Sequence, residues 1–322
     1  MKAIHAVRGG GPEVMELTEI PSPQPKANEA VVKVAAAGVN SIDAQFRDGS
    51  FKTPVPFVPG QEGAGVVTAV GSEVKLLKVG DRVAWSGMLG SYAEYVAGVA
   101  DFLVPVPSSV SDRDAAASML QGLTAHYLCH DAYKLKAGDT ALVHAAAGGV
   151  GLLLVQMARN FGARVIGTVS NEDKARFARE AGADEVIVFT KTDFEAESKR
   201  LTGGKGVDVI YDGVGKATFA KGLNALRPRG MLVLFGASSG PVPPVNPLTL
   251  SEKGSLYMAR TTLAHFTATR DELVARSGDV FGLIASGKLK LRIGKTYPLA
   301  AAPQAHRDLE ARKITGKLLL IP

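Results

Sequence analysis

The chain has a single cysteine, Cys129, in 322 residues. No internal disulfide can form, and a four-thiolate zinc lobe is excluded. One thiol suits a reducing compartment, so a cytoplasmic location is expected. No apolar run approaches the roughly 20 residues that a membrane helix needs. The N-terminal Met1-Lys-Ala-Ile-His-Ala-Val-Arg8 lacks the apolar centre of a signal peptide. There is no internal repeat, no low-complexity tract and no dense basic run. Net charge is +6, but Lys and Arg are scattered and no aromatic-plus-basic motif accompanies them. That balance favours an anionic small ligand, and nucleic acid is not an expected partner.

What is present is enough for two cores. Hydrophobic residues make up 46% of the chain and charged residues 21%, the composition of a globular protein. The first hundred or so residues read as short strands at 14–20, 29–36, 65–70, 81–85 and 92–96, punctuated by Gly and Pro. That texture predicts a small, mainly β, barrel-like domain. Near Gln121 it changes to alternating helices and strands, with strands at 141–144, 164–168, 185–188, 207–211, 231–235 and 255–258. Six strands with helical crossovers predict an α/β fold, a doubly wound parallel sheet of the Rossmann kind. A helix at 271–286 and two late strands, 296–299 and 317–321, have no place in a complete six-stranded sheet. The expected organisation is 1–121 as one domain, 122–262 as the second, and 263–322 returning to the first.

The segment 139–174 is the most informative. Strand Thr140-Ala-Leu-Val-His-Ala leads into the turn Ala146-Ala-Gly-Gly-Val-Gly151, a helix and a second strand ending at Val169. A glycine-lined helix start presents free N–H groups and a positive dipole end to a pyrophosphate. An acid about 20 residues further on would grip the ribose hydroxyls of NAD. Here that edge carries Ser170 and Lys174 instead, which favours an additional phosphate and hence NADPH. The plainer alternative for Lys174 is a solvated charge beside Glu172 and Asp173.

These words and their order resemble the medium-chain dehydrogenase/reductase superfamily, in its zinc-independent quinone oxidoreductase (zeta-crystallin-like) branch. The carriers are Gly38-Val-Asn-Ser-Ile-Asp43, Pro59-Gly-Gln-Glu-Gly-Ala-Gly65, Val79-Gly-Asp-Arg-Val83 and Gln121-Gly-Leu-Thr-Ala125. With them come His144-Ala-Ala-Ala-Gly-Gly-Val-Gly151, Tyr211-Asp-Gly-Val-Gly215 and Phe235-Gly-Ala-Ser-Ser-Gly240. The resemblance implies that the β domain is GroES-like and catalytic. Zinc enzymes of the superfamily place Cys and His where this chain has Asn40 and Gln61, and neutral amides are poor zinc ligands. His126 and His130 are four apart on an expected helix, a weak metal signature better read as a packed or exposed face. No metal is expected.

By the same resemblance, Asn40 lies beside the nicotinamide and the substrate carbonyl, where its amide could donate to developing oxygen charge. The alternative is that Asn40 merely ends a strand, while Asp43 fixes the following helix start. Gln45, the second candidate catalytic residue beside Asn40, stands where several relatives carry a substrate-facing tyrosine, so a phenolic donor is absent there. Tyr92 and Tyr95 read as part of a half-buried strand. Gly148, Gly149 and Val150 are the expected pyrophosphate donors, and Gly151 allows close helix–sheet packing. Ser170 and Lys174 match the 2′-phosphate site, with Phe189 replacing a family tyrosine. Thr124, Phe235, Gly236 and Ser238 are expected at the nicotinamide. Arg312 matches a family arginine near the cofactor and reads equally well as a surface charge.

The implied activity is NADPH-dependent hydride transfer to a quinone or conjugated enone, whose charge delocalises onto a distant oxygen without a Lewis acid. Reduction of the C=C bond of enoyl or alkenal substrates is the alternative. A structural or nucleic-acid-binding role is a more remote one. Segment 254–260 would be the last strand of the sheet, and such an edge invites pairing with a second copy.

Overall fold

The computed structural model describes residues 1–312 and 314–322. It divides into two compact units, Met1–Leu123 with Thr267–Pro322, and Thr124–Phe266. The change-over falls inside helix Asp112–Tyr127.

The second unit is built on six parallel strands. Across the sheet they run Glu185–Val188, Arg164–Val169, Thr140–Val143, Val207–Asp212, Leu226–Leu234 and Tyr257–Arg260. Chain order therefore reverses between Thr140–Val143 and Val207–Asp212, the place where doubly wound sheets open a ligand crevice at their carboxyl ends. The central strands are rich in Val, Ile and Leu because helices cover both faces. Leu142, Ile166, Ile210 and Leu232 pack with Phe194 and Phe219 in one buried cluster.

In the first unit, the long strand Glu29–Val39 is the organiser. It pairs antiparallel with Glu62–Val70, Tyr95–Val99 and Lys317–Ile321. Ile293–Pro298 lies parallel to Lys317–Ile321, so both late strands join this sheet. The register decides what meets. Leu318 faces Val39, which brings Lys317 to the end of the strand where Asn40 sits. Ala37 faces Gly63, and one step on Glu62 comes opposite Gly38. A Cβ on Gly38 would lie 2.2 Å from a Glu62 carboxylate oxygen and 2.8 Å from the Ala116 carbonyl oxygen, so only glycine leaves room there.

Several boundaries differ from the sequence reading; the strands expected at 29–36 and 65–70, for example, are Glu29–Val39 and Glu62–Val70. The strand expected at 92–96 is Tyr95–Val99, and Tyr92 precedes it as a fully buried residue rather than a half-buried strand position. The last strand of the parallel sheet is Tyr257–Arg260, because Ser255 takes a left-handed backbone conformation with φ 56°. The helix after the glycine turn begins at Gly149 rather than Leu152, its cap Gly148 being extended at φ −77°, ψ 173°.

Candidate active site

Three strand ends converge in the first unit. Asn40 follows Glu29–Val39, Glu62 opens its strand and Lys317 opens the last one. Their exposures are 2%, 0% and 3%, so an ion pair is held in the interior. The Lys317 ammonium contacts a Glu62 carboxylate oxygen and donates to Asn40 Oδ1 at 2.6 Å. Asn40 Nδ2 donates to the same Glu62 oxygen at 2.8 Å. The other Glu62 oxygen accepts the Leu120 N–H at 2.7 Å, and Gln121 Nε2 donates to Asn40 Oδ1 at 3.3 Å.

Asp43 supplies a second layer of support. Its carboxylate accepts the Asn40 N–H at 2.8 Å, capping helix Ser41–Asp48, and the Gln61 N–H at 3.1 Å. It also accepts the Tyr92 hydroxyl at 3.2 Å. Burial pushes the Asp43 carboxyl up to about 7, against the pull of these donors and of Lys317. Behind Tyr92 stands His306 at 3.0 Å, and behind His306 the Arg47 guanidinium at 3.1 Å. Arginine can only donate, so His306 Nδ1 accepts and Nε2 carries the proton toward Tyr92. Burial and the Arg47 charge hold the His306 imidazole down to about 3, so it is neutral at neutral pH. All donations in this chain point toward Asp43. Arg47 ends it with a group that cannot release its proton, so the chain braces Asp43 and offers no path for protons.

Gln45 lies on the same helix as Asp43 but is exposed, apart from the Asn40–Glu62–Lys317 cluster. Arg312 lies after helix Ala302–Glu310 in a left-handed conformation, φ 52°, and is exposed. Thr124 is buried in helix Asp112–Tyr127.

In the second unit the glycine turn has the form a diphosphate needs. The N–H groups of Gly149, Val150 and Gly151 make no hydrogen bond among the described residues, whereas the N–H of Gly148, expected as a pyrophosphate donor, is already given to the Ala145 carbonyl at 2.8 Å, which moves the open set of donors one residue along. A Cβ on Gly151 would lie 2.2 Å from the Ala145 carbonyl oxygen, so the close packing expected of this glycine is obligatory. At the end of the next strand, Lys174 Nζ donates to Ser170 Oγ at 3.3 Å, which brings the two expected phosphate ligands together. Asn171 caps the Lys174 N–H at 2.9 Å, and Thr190 Oγ1 donates to the Ser170 carbonyl at 2.9 Å. Phe189 is half exposed beside them. Phe235, Gly236 and Ser238 follow strand Leu226–Leu234 and are tied to the neighbouring loop by Phe235 N–H to Asp212 O and Ser238 N–H to Gly213 O. Buried Asp212 organises that loop through the Val214 and Gly215 N–H groups and the Thr218 hydroxyl. The residues fit a nicotinamide dinucleotide on an open helix N-terminus, with a cation and hydroxyl where a 2′-phosphate would lie.

Comparison with known proteins sets this arrangement in a family. Residues 26–108 match the Alcohol dehydrogenase GroES-like domain, and residues 149–275 match the Zinc-binding dehydrogenase domain. The quinone oxidoreductase of Pseudomonas aeruginosa is 45% identical over 323 residues, covering 100% of this chain and 99% of that protein. The chain belongs to the quinone oxidoreductase branch of the medium-chain dehydrogenase/reductase superfamily. The 2-haloacrylate reductase of a Burkholderia species is 39% identical, covering 97% of this chain and 96% of that protein. The solved Escherichia coli quinone oxidoreductase complexed with NADPH superposes with a TM-score of 0.97 at 43% identity, each chain fully covered.

Zinc, which the domain description implies, does not fit this member's donors. Asn40 has its amide oxygen on Lys317 and its nitrogen on Glu62, and Gln61 is a second amide. Cys129 is buried in the other unit, its thiol pushed up to about 12 by burial and donating to the Ala125 carbonyl at 3.1 Å. His126 and His130 stack ring on ring, their centroids 3.8 Å apart. Among the described residues no group of three or more His, Cys, Asp or Glu is placed to hold a metal.

Sequence reasoning missed Glu62, Lys317, Gln121, Tyr92 and His306 as members of the Asn40 surroundings. Glu62 and Gln121 lie inside motifs already singled out. Nothing in spacing links positions 40, 62 and 317; the link is strand register.

Proposed function

We propose that this protein is an NADPH-dependent, zinc-independent reductase that passes hydride to a quinone or conjugated enone. The observation that carries the reading is the Asn40 amide, held by the buried Lys317–Glu62 ion pair; the family resemblance puts it where zinc enzymes of the superfamily have a metal ligand. When bound, NADPH supplies the hydride. Gly149, Val150 and Gly151 hold its pyrophosphate with backbone N–H groups, and Ser170 and Lys174 hold its 2′-phosphate. The turn at Phe235, Gly236 and Ser238, with Thr124, takes the nicotinamide end, and Arg312 is an additional cofactor contact. Asn40 donates from Nδ2 to the substrate oxygen that gains charge, doing part of what a Lewis acid would do. The proton that completes the product comes from solvent or from a polar side chain.

A second reading, reduction of a substrate C=C bond, is favoured by the likeness to a 2-haloacrylate reductase. Gln45 in place of a tyrosine disfavours enzymes that rely on a phenol at that position. We further propose a cytoplasmic homodimer joined along Tyr257–Arg260, the outer strand of the parallel sheet, where Tyr257 and Met258 are 60% and 40% exposed. Light scattering at twice the chain mass, reduced to one by Met258→Lys, tests the dimer.

The activity is tested by following NADPH oxidation with a simple quinone, a cyclic enone and a 2-alkenal, and by offering NADP⁺ with a panel of alcohols. Turnover with the first group and none with the alcohols is the expected pattern. Preference for alcohols overturns the reading.

A further inference from the structure

The side chain of Asn40 can sit only one way round. Lys317 offers only N–H groups and Glu62 only oxygens, so the amide oxygen must face Lys317 and the amide nitrogen must face Glu62. An asparagine with ordinary neighbours could turn over and present either end. Here one Nδ2 hydrogen is taken by Glu62 at 2.8 Å and the other remains for a ligand. The carbonyl end already accepts from both Lys317 and Gln121.

A buried lysine–glutamate pair is a costly way to stabilise a fold, because two ions lose their water and apolar residues of the same volume often do as well. The Leu120 N–H needs an acceptor but not a charged one. We infer that Lys317 and Glu62 are positioning residues that fix Asn40 as a one-way donor, tuning the site to substrates whose oxygen becomes negative. This rests on the Asn40 role proposed above. The cation on the amide oxygen also draws electron density from the nitrogen and strengthens its remaining N–H as a donor. Gly38 belongs to the same device, since any side chain there would displace the Glu62 carboxylate. An alcohol giving up its proton finds no acceptor at Asn40, whereas a quinone or enone oxygen meets a donor already aimed.

The test is a mutant cycle read on quinone kcat and on the KM for NADPH. Asn40→Ala removes the donor. The pair Glu62→Gln/Lys317→Met keeps side-chain volume without leaving a lone buried charge. The Glu62→Gln change leaves an oxygen for the Leu120 N–H and turns an NH2 toward Asn40, so the Asn40 amide is invited to reverse. Loss of one donor to a developing oxyanion costs about 100-fold in kcat, and both variants should show a loss of that order with KM for NADPH unchanged. The triple variant should be no slower than Asn40→Ala. Equal additional loss in the triple variant, or full kcat in the pair, overturns the inference while leaving the donor role of Asn40 standing. Full kcat in Asn40→Ala overturns that donor role, and this inference with it. Should the pair not fold, Glu62→Gln alone must lower kcat when Asn40 is present and not when it is replaced by alanine; any other pattern overturns the inference.

Discussion

The ammonium of Lys317 lies 2.6 Å from the side-chain oxygen of Asn40, 277 positions away in sequence. Only the pairing of the last strand with the Glu29–Val39 strand brings them together. The contact sits in the interior, where Lys317 also neutralises Glu62. Removing one partner of a buried ion pair leaves the other charge stranded, at a cost of about 3–5 kcal/mol. Lys317→Met should therefore lower the unfolding free energy by that amount in urea titration. Glu62→Gln/Lys317→Met should recover more than half of it. Equal losses in the two variants would mean that packing of the lysine stem, not charge, sets the cost.

Lys174 and Ser170 meet at 3.3 Å beyond the second strand of the parallel sheet. A hydrogen bond to a charged group contributes about 1.5–3 kcal/mol, or about 10- to 100-fold in affinity. Lys174→Ala should raise the KM for NADPH by that factor and leave that for NADH within about twofold of wild type. Equal effects on both coenzymes would make Lys174 an ordinary surface charge.

Gly151 faces the Ala145 carbonyl oxygen with no room for a methyl group. Gly151→Ala must push the start of helix Gly149–Asn160 away from the strand, at a cost of about 1–3 kcal/mol. Both thermal stability and NADPH affinity, read by calorimetry, should fall. A variant that keeps both would show that the turn relaxes freely.

Buried His144 shares a hydrogen bond with Thr168 Oγ1 at 2.9 Å, and burial holds its imidazole down to about 4 from an ordinary 6.5, the nearby Asp212 pulling the other way. As pH falls below 6.5 the unfolded chain binds a proton that the folded protein refuses. Stability is therefore full above that pH and is lost on the way down to about 4. The loss at pH 5 is about 2 kcal/mol from this group. His306 adds a loss of the same sign, whereas Asp43, raised to about 7, changes stability in the opposite sense. Comparing wild type with His144→Gln cancels both. The variant should lose about 2 kcal/mol less than wild type between pH 7 and pH 5 in urea titrations, and equal losses would place His144 in a solvated state.

The parallel sheet was legible in the sequence because its signals are local. Each strand is a short Val- and Ile-rich run closed by Gly or a helix start, and Lys174 lies near Ser170 in the chain as it does in space. Asp43 was readable as a helix cap for the same reason, lying three residues after Asn40. The Asn40 surroundings were not readable. Glu62 and Lys317 reach it through register between strands far apart in sequence, and a lysine read alone belongs on the surface. Tyr92 was misjudged because alternation suggested a strand, whereas its hydroxyl is drawn inward by Asp43 and His306. Where the last parallel strand begins was missed because Ser255 adopts a left-handed conformation that its residue type does not signal.

The most direct measurement is quinone-dependent oxidation of NADPH by protein dialysed exhaustively against a strong chelator and checked by elemental analysis. Metal-free protein should turn over fully, saturate with NADPH at far lower concentration than with NADH, and gain nothing from added zinc. Turnover lost on chelation and restored by zinc would contradict a hydride transfer that relies on Asn40 in place of a metal.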